Sequence, residues 1–147
     1  MKTIGMLIIC LAIVGCNANR DITEYDLDKS SFDAEAMAKI ERESGIDIPD
    51  GAKGLAFHHI PPVDPIVFAK IRIPVNAKEL VKDQIGKLTS SGAQFPKDFA
   101  NDRCKWWPAV RENVIVAKQA FANGYYIELY LVKESDDITL YIKYFTV

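Results

Sequence analysis

Two kinds of hydrophobic pattern occur along the chain, and together they predict a fold of helices and strands. Apolar residues recur at helical spacing at Ala36, Met37 and Ile40, and again over 77–88, which indicates two amphipathic helices. Alternating apolar and polar residues over 66–73 and through the last third of the chain indicate strands. In chain order, the predicted elements cover 32–43, 55–60, 66–73, 77–90, 113–121, 125–133 and 138–146. We therefore expect an α+β fold of order α-β-β-α-β-β-β, with two helices packed on a mostly antiparallel five-stranded sheet.

The final hairpin is patterned closely enough to predict its register. With a turn at 135–136, the paired positions put leucine and isoleucine side chains opposite one another on one face. The other face then pairs Tyr130 with Tyr141 and Glu128 with Lys143. One face of this hairpin is therefore predicted to be aliphatic, and the other aromatic and charged.

The preceding hairpin has a strong turn signal in Asn123-Gly124, but its register is less clear. A strict two-residue loop would place Lys118 opposite Leu129, on the aliphatic face. A one-residue bulge would place Ala117 and Phe121 on that face instead. We expect the bulge.

The amino terminus has a pattern of its own. Lys2 is followed by an apolar run of 12 residues, Ile4 to Gly15, and polar residues come after Cys16. A helix that spans a bilayer needs about 20 residues, so the run is typical of a secretory signal instead. The residues Ile13-Val14-Gly15-Cys16 resemble the lipobox of bacterial lipoproteins. The alternative is an ordinary cleaved signal in which the cysteine stands by chance.

The lipobox resemblance implies a processing route and a location. It implies cleavage between Gly15 and Cys16, a diacylglyceryl group on the Cys16 sulfur and an acylated new amino terminus. The protein would then belong to the cell envelope, with the lipid on Cys16 as its membrane contact. If the cell is Gram-negative, Asn17 after the cysteine implies the outer membrane, facing the periplasm.

Three segments follow from these patterns. Residues 1–15 are predicted to be the signal peptide, 16–30 the lipidated cysteine with a flexible tether, and 31–147 one globular domain. Extended, the fourteen residues 17–30 would reach roughly 45–50 Å. The alternation of Ile22, Tyr25 and Leu27 leaves open a short added strand in this segment.

Composition narrows the function classes. The chain has 147 residues, of which 49% are hydrophobic and 26% charged, and its net charge is −2. These values are typical of one folded domain and argue against disorder. Removal of residues 1–15 takes away Lys2 and leaves a net charge of −3. Since nucleic-acid binders usually carry a basic excess, we expect no nucleic-acid partner.

The residues that could support catalysis are few. With Cys10 removed and Cys16 lipidated, Cys104 is the remaining thiol, and we expect it to be buried and inert. The alternative is a nucleophile activated by His58 or His59. We expect His58 and His59 to be ordinary surface or sheet-edge histidines. Because adjacent strand residues point to opposite faces, the two do not suit one metal ion. We therefore predict no catalytic residues, no metal and no cofactor.

Aromatic residues supply the candidate binding surface. The adjacent Trp106 and Trp107 lie in a loop-like region, and four further aromatic residues share one predicted sheet face. The predicted surface comprises Trp106, Trp107, Tyr126, Tyr130, Tyr141 and Phe145. An exposed set of this kind would suit an envelope protein or a glycan. The alternative is that one tryptophan caps the core and that a helix or the tether covers the sheet face.

The functional expectation is a lipid-anchored, non-enzymatic envelope protein that binds a macromolecule in the periplasm or at the cell surface. By analogy of size and anchor, an inhibitor or immunity-type protein fits, as does an assembly factor. The alternatives are an envelope enzyme that uses Cys104 and a lipoprotein that binds a small ligand.

Overall fold

The fold is an antiparallel sheet with helices on one face, in a computed structural model that describes residues 22–61, 63–92, 99–107 and 112–146. Gly15 and Cys16 lie outside these ranges, so cleavage and lipidation stay predictions. Within the described ranges, no helix combines the length and apolar character needed to cross a bilayer.

Eight helices and strands form the described fold. The strands are β1 (Tyr25–Asp28), β2 (Lys53–Ile60), β3 (Ile66–Ile73), β4 (Val114–Ala122), β5 (Tyr125–Glu134) and β6 (Asp137–Thr146). The helices are α1 (Ala34–Ser44), between β1 and β2, and α2 (Lys78–Lys87), between β3 and β4. Short 3-10 turns occur at Val75–Ala77 and Asn101–Arg103.

The sheet has six strands, in the order β1-β2-β3-β6-β5-β4, so the five-stranded prediction is wrong by one strand. The additional strand is β1, which precedes α1 and pairs antiparallel with β2 from Tyr25 opposite His59 to Asp28 opposite Ala56. This is the short strand that the alternation of Ile22, Tyr25 and Leu27 left open. It lies inside the segment predicted to be a tether, and its register with β2 places it at one edge of the sheet.

The two helices cover the aliphatic face of the sheet. Ile40 of α1 and Val81 and Ile85 of α2 are fully buried there. They pack against strand residues that include Phe57 and Leu129. This burial is the main source of stability for both helices, since short isolated helices are marginal in water.

Helix α1 begins slightly later than predicted. Its N-cap is Asp33, whose side chain accepts a hydrogen bond from the backbone N–H of Ala36 at 3.0 Å. The helix runs one residue past its predicted end, and its C-cap is Gly45, in the left-handed conformation with φ 70°.

The two hairpins differ in how well their register was predicted. In β5 and β6, Tyr130 faces Tyr141 and Glu128 faces Lys143, which confirms the prediction. In β4 and β5 the expected bulge beside Asn123-Gly124 is wrong, because the strict two-residue register places Lys118 opposite Leu129. Lys118 is accommodated on the aliphatic face because its Nζ reaches the carbonyl oxygen of Gly86 at 2.8 Å.

Candidate functional site

The second face of the sheet is covered by the segment 99–107, and this packing buries most of the predicted site residues. Trp107 lies near its centre, with its ring centroid 5.2 Å from Phe68, 6.0 Å from Tyr141 and 6.2 Å from Tyr130. We call this packed set, which also includes Trp106, Tyr126 and Phe145, the aromatic layer. Its edge-to-face geometries are those that aromatic pairs favour.

The aromatic layer is largely interior, so the predicted binding surface requires correction. Trp107, Tyr126, Tyr141 and Phe145 are buried. Trp106 and Tyr130 are partly exposed. The alternative of a covered face therefore holds, although the cover is the segment 99–107, not a helix or the tether. That segment has no regular hydrophobic periodicity, so the sequence did not predict that it packs on the sheet.

A buried ion pair joins the aromatic layer to the cover. Lys143 Nζ lies 2.5 Å from Glu128 Oε2, and both side chains are nearly inaccessible to solvent. Lys143 Nζ also donates to Asn101 Oδ1 at 3.0 Å and lies 5.6 Å from the centroid of the Trp107 ring. Glu128 accepts a second hydrogen bond from the Tyr130 hydroxyl. The sequence predicted the cross-strand pairing, but it did not predict the burial.

Cys104 belongs to the cover and is buried, in agreement with the expectation. Burial raises the pKa of its thiol to about 12, and backbone hydrogen bonds from Trp106 and Trp107 only partly oppose that rise. A thiol with this pKa is protonated at neutral pH, and the thiolate is the form that acts as a nucleophile. The environment of Cys104 therefore favours an inert side chain.

Both histidines are buried, so the prediction of surface or sheet-edge positions is wrong. The reason is β1, which pairs with β2 and leaves neither histidine on an edge strand. His59 lies beside the Tyr25 ring, at 5.1 Å between centroids. His58 lies 6.1 Å from the Phe68 ring.

His58 belongs to a charged network that connects β1, β2 and the cover. Its Nδ1 is 2.8 Å from Asp26 Oδ1, and its Nε2 is 3.5 Å from Glu24 Oε1. Glu24 also pairs with Arg103 at 2.8 Å. The arrangement holds three chain segments together. Across the described ranges, no group of three or more His, Cys, Asp or Glu side chains is placed to hold a metal ion.

A cavity of about 470 Å³ lies away from the aromatic layer, between the start of α1 and the start of β2. Its walls include apolar side chains and three cations. The apolar residues include Phe32, Met37 and Leu55, and the cations are Lys29, Lys53 and Arg72. No local pattern indicated this cavity, because its walls combine three separate stretches of the chain, 29–37, 52–55 and Arg72.

Gly54 determines how closely the wall of this cavity packs. A Cβ atom at Gly54 would lie 2.1 Å from Cγ of Phe32, which is far below a van der Waals contact. The absence of a side chain at Gly54 therefore lets Phe32 pack directly against β2, where its ring lies 5.6 Å from the Phe57 ring, centroid to centroid.

Comparisons of this chain with protein-family models, with curated proteins and with solved structures find no match.

Proposed function

We propose that the mature protein is held at a membrane by lipid on Cys16 and acts in the cell envelope as a non-enzymatic binding protein. Its partner would be a macromolecule of the periplasm or the cell surface, as for an inhibitor or immunity-type protein. The burial of Cys104, which raises the pKa of its thiol to about 12, is the main support for a non-enzymatic role.

The surroundings of the histidines support the same proposal. A general base needs access to the proton it removes. His58 is enclosed by Asp26, Glu24 and Phe68, and His59 is packed against Tyr25. These surroundings favour packing and ion-pairing roles for both histidines, which supports the non-enzymatic proposal over an enzyme that pairs Cys104 with a histidine base.

Thiol alkylation of the folded protein tests the non-enzymatic part. We expect Cys104 to resist a maleimide reagent in buffer and to react fully in denaturant. A Cys104→Ser variant controls for reaction at other groups. Rapid, stoichiometric labelling of the native protein would contradict the proposal.

The anchor has a direct test with a matched control. Cells that express the full chain are fed a radiolabelled fatty acid, and the protein is then isolated. We expect the label in the wild type and in Cys104→Ser, and its loss in Cys16→Ser. Label that persists in Cys16→Ser would contradict lipidation at this residue.

The proposal that the protein binds a macromolecule is best tested at Trp106. This residue is partly exposed, and its ring packs against Phe68 and Trp107, so it presents a fixed aromatic edge to solvent. Aromatic residues on rigid supports are common anchors in interfaces. A photo-crosslinking amino acid in place of Trp106 should give a discrete adduct in cells. The same probe at exposed Val75 should not, and equal results at both positions would contradict the proposal.

The cavity beside α1 favours a second candidate function, the binding of a small amphiphilic anion. Phe32, Met37 and Leu55 would contact its apolar part, and Lys29 and Lys53 its charge. Anilinonaphthalene sulfonate is a suitable probe. We expect saturable binding that weakens in Lys29→Glu/Lys53→Glu and persists in Lys87→Glu, a control on the surface of α2. Absence of saturable binding would contradict this candidate.

A further inference from the structure

The strand register defines an end of the sheet that lies closest to the predicted anchor. One row of paired residues crosses all six strands. In sheet order it contains Tyr25, His59, Val67, Tyr144, Ile127 and Ala120. We call the end of the sheet beyond this row the proximal end, because β1 begins there and the chain leads back from it towards Cys16. The opposite end, where β1 finishes at Asp28, is the distal end.

Large exposed apolar side chains lie at the proximal end, on several separate segments. Ile22 precedes β1, Val63 lies in the β2–β3 loop and Phe121 is two residues before the Asn123-Gly124 turn. Phe99 is exposed as well, and its ring lies 5.0 Å from Phe145 near the end of β6. We call these four residues the apolar rim.

The length of chain before β1 limits how far the apolar rim lies from a lipid on Cys16. Only five residues, 17–21, lie between Cys16 and Ile22, and the six Cα-to-Cα steps from one to the other span at most about 22 Å when extended. A tether through residue 30 would have allowed more than twice this distance. Because Tyr25–Asp28 belongs to the sheet, the proximal end is kept near the membrane to which Cys16 would be attached.

We propose that the apolar rim contacts the bilayer that holds the lipid on Cys16, so that the domain stands on the membrane by its proximal end. This inference rests on the proposed lipid anchor. Each rim residue alone would contribute little to membrane binding. Because the lipid on Cys16 would already hold the chain at the bilayer, however, the rim would meet the membrane at a high effective concentration. Apolar side chains at a lipid interface then add to the binding given by the acyl chains.

The charges at this end indicate an apolar contact and not an electrostatic one. Glu24 and Asp64 are exposed there, and Arg103 is paired with Glu24. A net charge of −3 on the mature chain likewise offers no attraction to anionic lipids. The contact should therefore change little with salt and should form on a zwitterionic bilayer.

Exposed apolar residues at the distal side of the molecule provide a matched control. Val75 lies just after β3 and is 66% exposed, whereas Val63 in the apolar rim is 86% exposed. The two residues are identical in type and similarly accessible, and they lie at opposite ends of β3. A membrane contact made by the proximal end should distinguish them.

The experiment uses the lipidated full protein with one added cysteine, Val63→Cys or Val75→Cys, labelled with an environment-sensitive fluorophore. Cys16 would be blocked by its thioether and Cys104 is buried, so labelling should be confined to the added residue. The protein is reconstituted into phosphatidylcholine vesicles, with and without lipids that carry a quencher at the headgroup level. Wild-type protein controls for stray labelling.

We expect the label at position 63 to shift to shorter wavelength and to be quenched several-fold more than the label at 75, at low and high salt alike. Phe121→Cys should behave like Val63→Cys. Equal quenching at 63 and 75, or none at either in protein that floats with the vesicles, would overturn the contact alone. Failure of the protein to float with the vesicles would instead overturn the anchor.

Discussion

Lys143 and Glu128 face each other across β5 and β6 with their charged atoms 2.5 Å apart, and their side chains are only 1% and 5% exposed. Such a pair requires every charged atom to be satisfied, because isolated buried charges are costly. Asn101 and the ring of Trp107 complete the surroundings of Lys143. The pair thus links the register of the final hairpin to the position of the segment 99–107.

Removal of one partner should therefore be much more harmful than removal of both. We expect Lys143→Met to lower the free energy of unfolding by about 3–5 kcal/mol, since it leaves Glu128 buried without a counter-charge. The double variant Lys143→Met/Glu128→Leu should recover most of that loss. Urea unfolding measures each value. As a control, Lys82→Met removes an exposed pair with Glu79 and should cost less than about 1 kcal/mol. Equal costs for the two lysine variants would contradict this account.

The raised pKa of Cys104 predicts a specific loss of stability at alkaline pH. In the unfolded chain the thiol ionises near its ordinary value of 9.0, whereas in the folded protein it stays protonated up to about 12. Unfolding therefore releases a proton between these values, so stability falls as pH rises from 9 to 12. The variant Cys104→Ala should show a shallower fall over this range, in urea unfolding at several pH values. Tyrosines contribute equally to both proteins, and identical slopes would show that the thiol is not involved.

The sequence predicted the final hairpin well because both of its faces are coded by side-chain type. Leu131 with Leu140 and Tyr130 with Tyr141 sort correctly in only one register, and a shift of one residue would exchange the faces. Similarly, the helical spacing of Ala36, Met37 and Ile40 located α1 to within two residues at each end. Local chemistry was sufficient in both cases.

Other features depend on contacts between distant segments, which local patterns do not encode. β1 is only four residues long and alternates weakly, so its existence depends on pairing with β2. The burial of His58 and His59 follows from that pairing. The packing of Trp107 on the sheet likewise depends on where an irregular segment folds back. For this reason the six aromatic residues do pack together, but four of them are buried and not exposed as predicted.

The contact between Gly54 and Phe32 predicts opposite effects for two glycine substitutions. In Gly54→Ala the new Cβ would overlap the Phe32 ring, so the ring must move away from β2, and we expect a loss of roughly 1–3 kcal/mol. Gly86→Ala is the control, because its Cβ would meet no atom within 4 Å in α2. Helix propensity should make this variant more stable by about 0.5–1 kcal/mol. Thermal unfolding compares the two, and a stable Gly54→Ala protein would contradict the close packing.

Substitution of Lys118 tests whether its hydrogen bond to α2 explains the register of the β4–β5 hairpin, which places this cation on the aliphatic face. Its Nζ donates to the carbonyl of Gly86, in the last turn of α2, where carbonyl groups lack partners within the helix. Lys118→Met keeps the apolar stem but removes this charged donor, so we expect a loss of about 0.5–1 kcal/mol in urea unfolding. Lys133→Met, on the exposed part of β5, should change stability little. If Lys118→Met were instead more stable than the wild type, the hydrogen bond to α2 would not explain the register. Burial of the lysine stem alone would then account for its position.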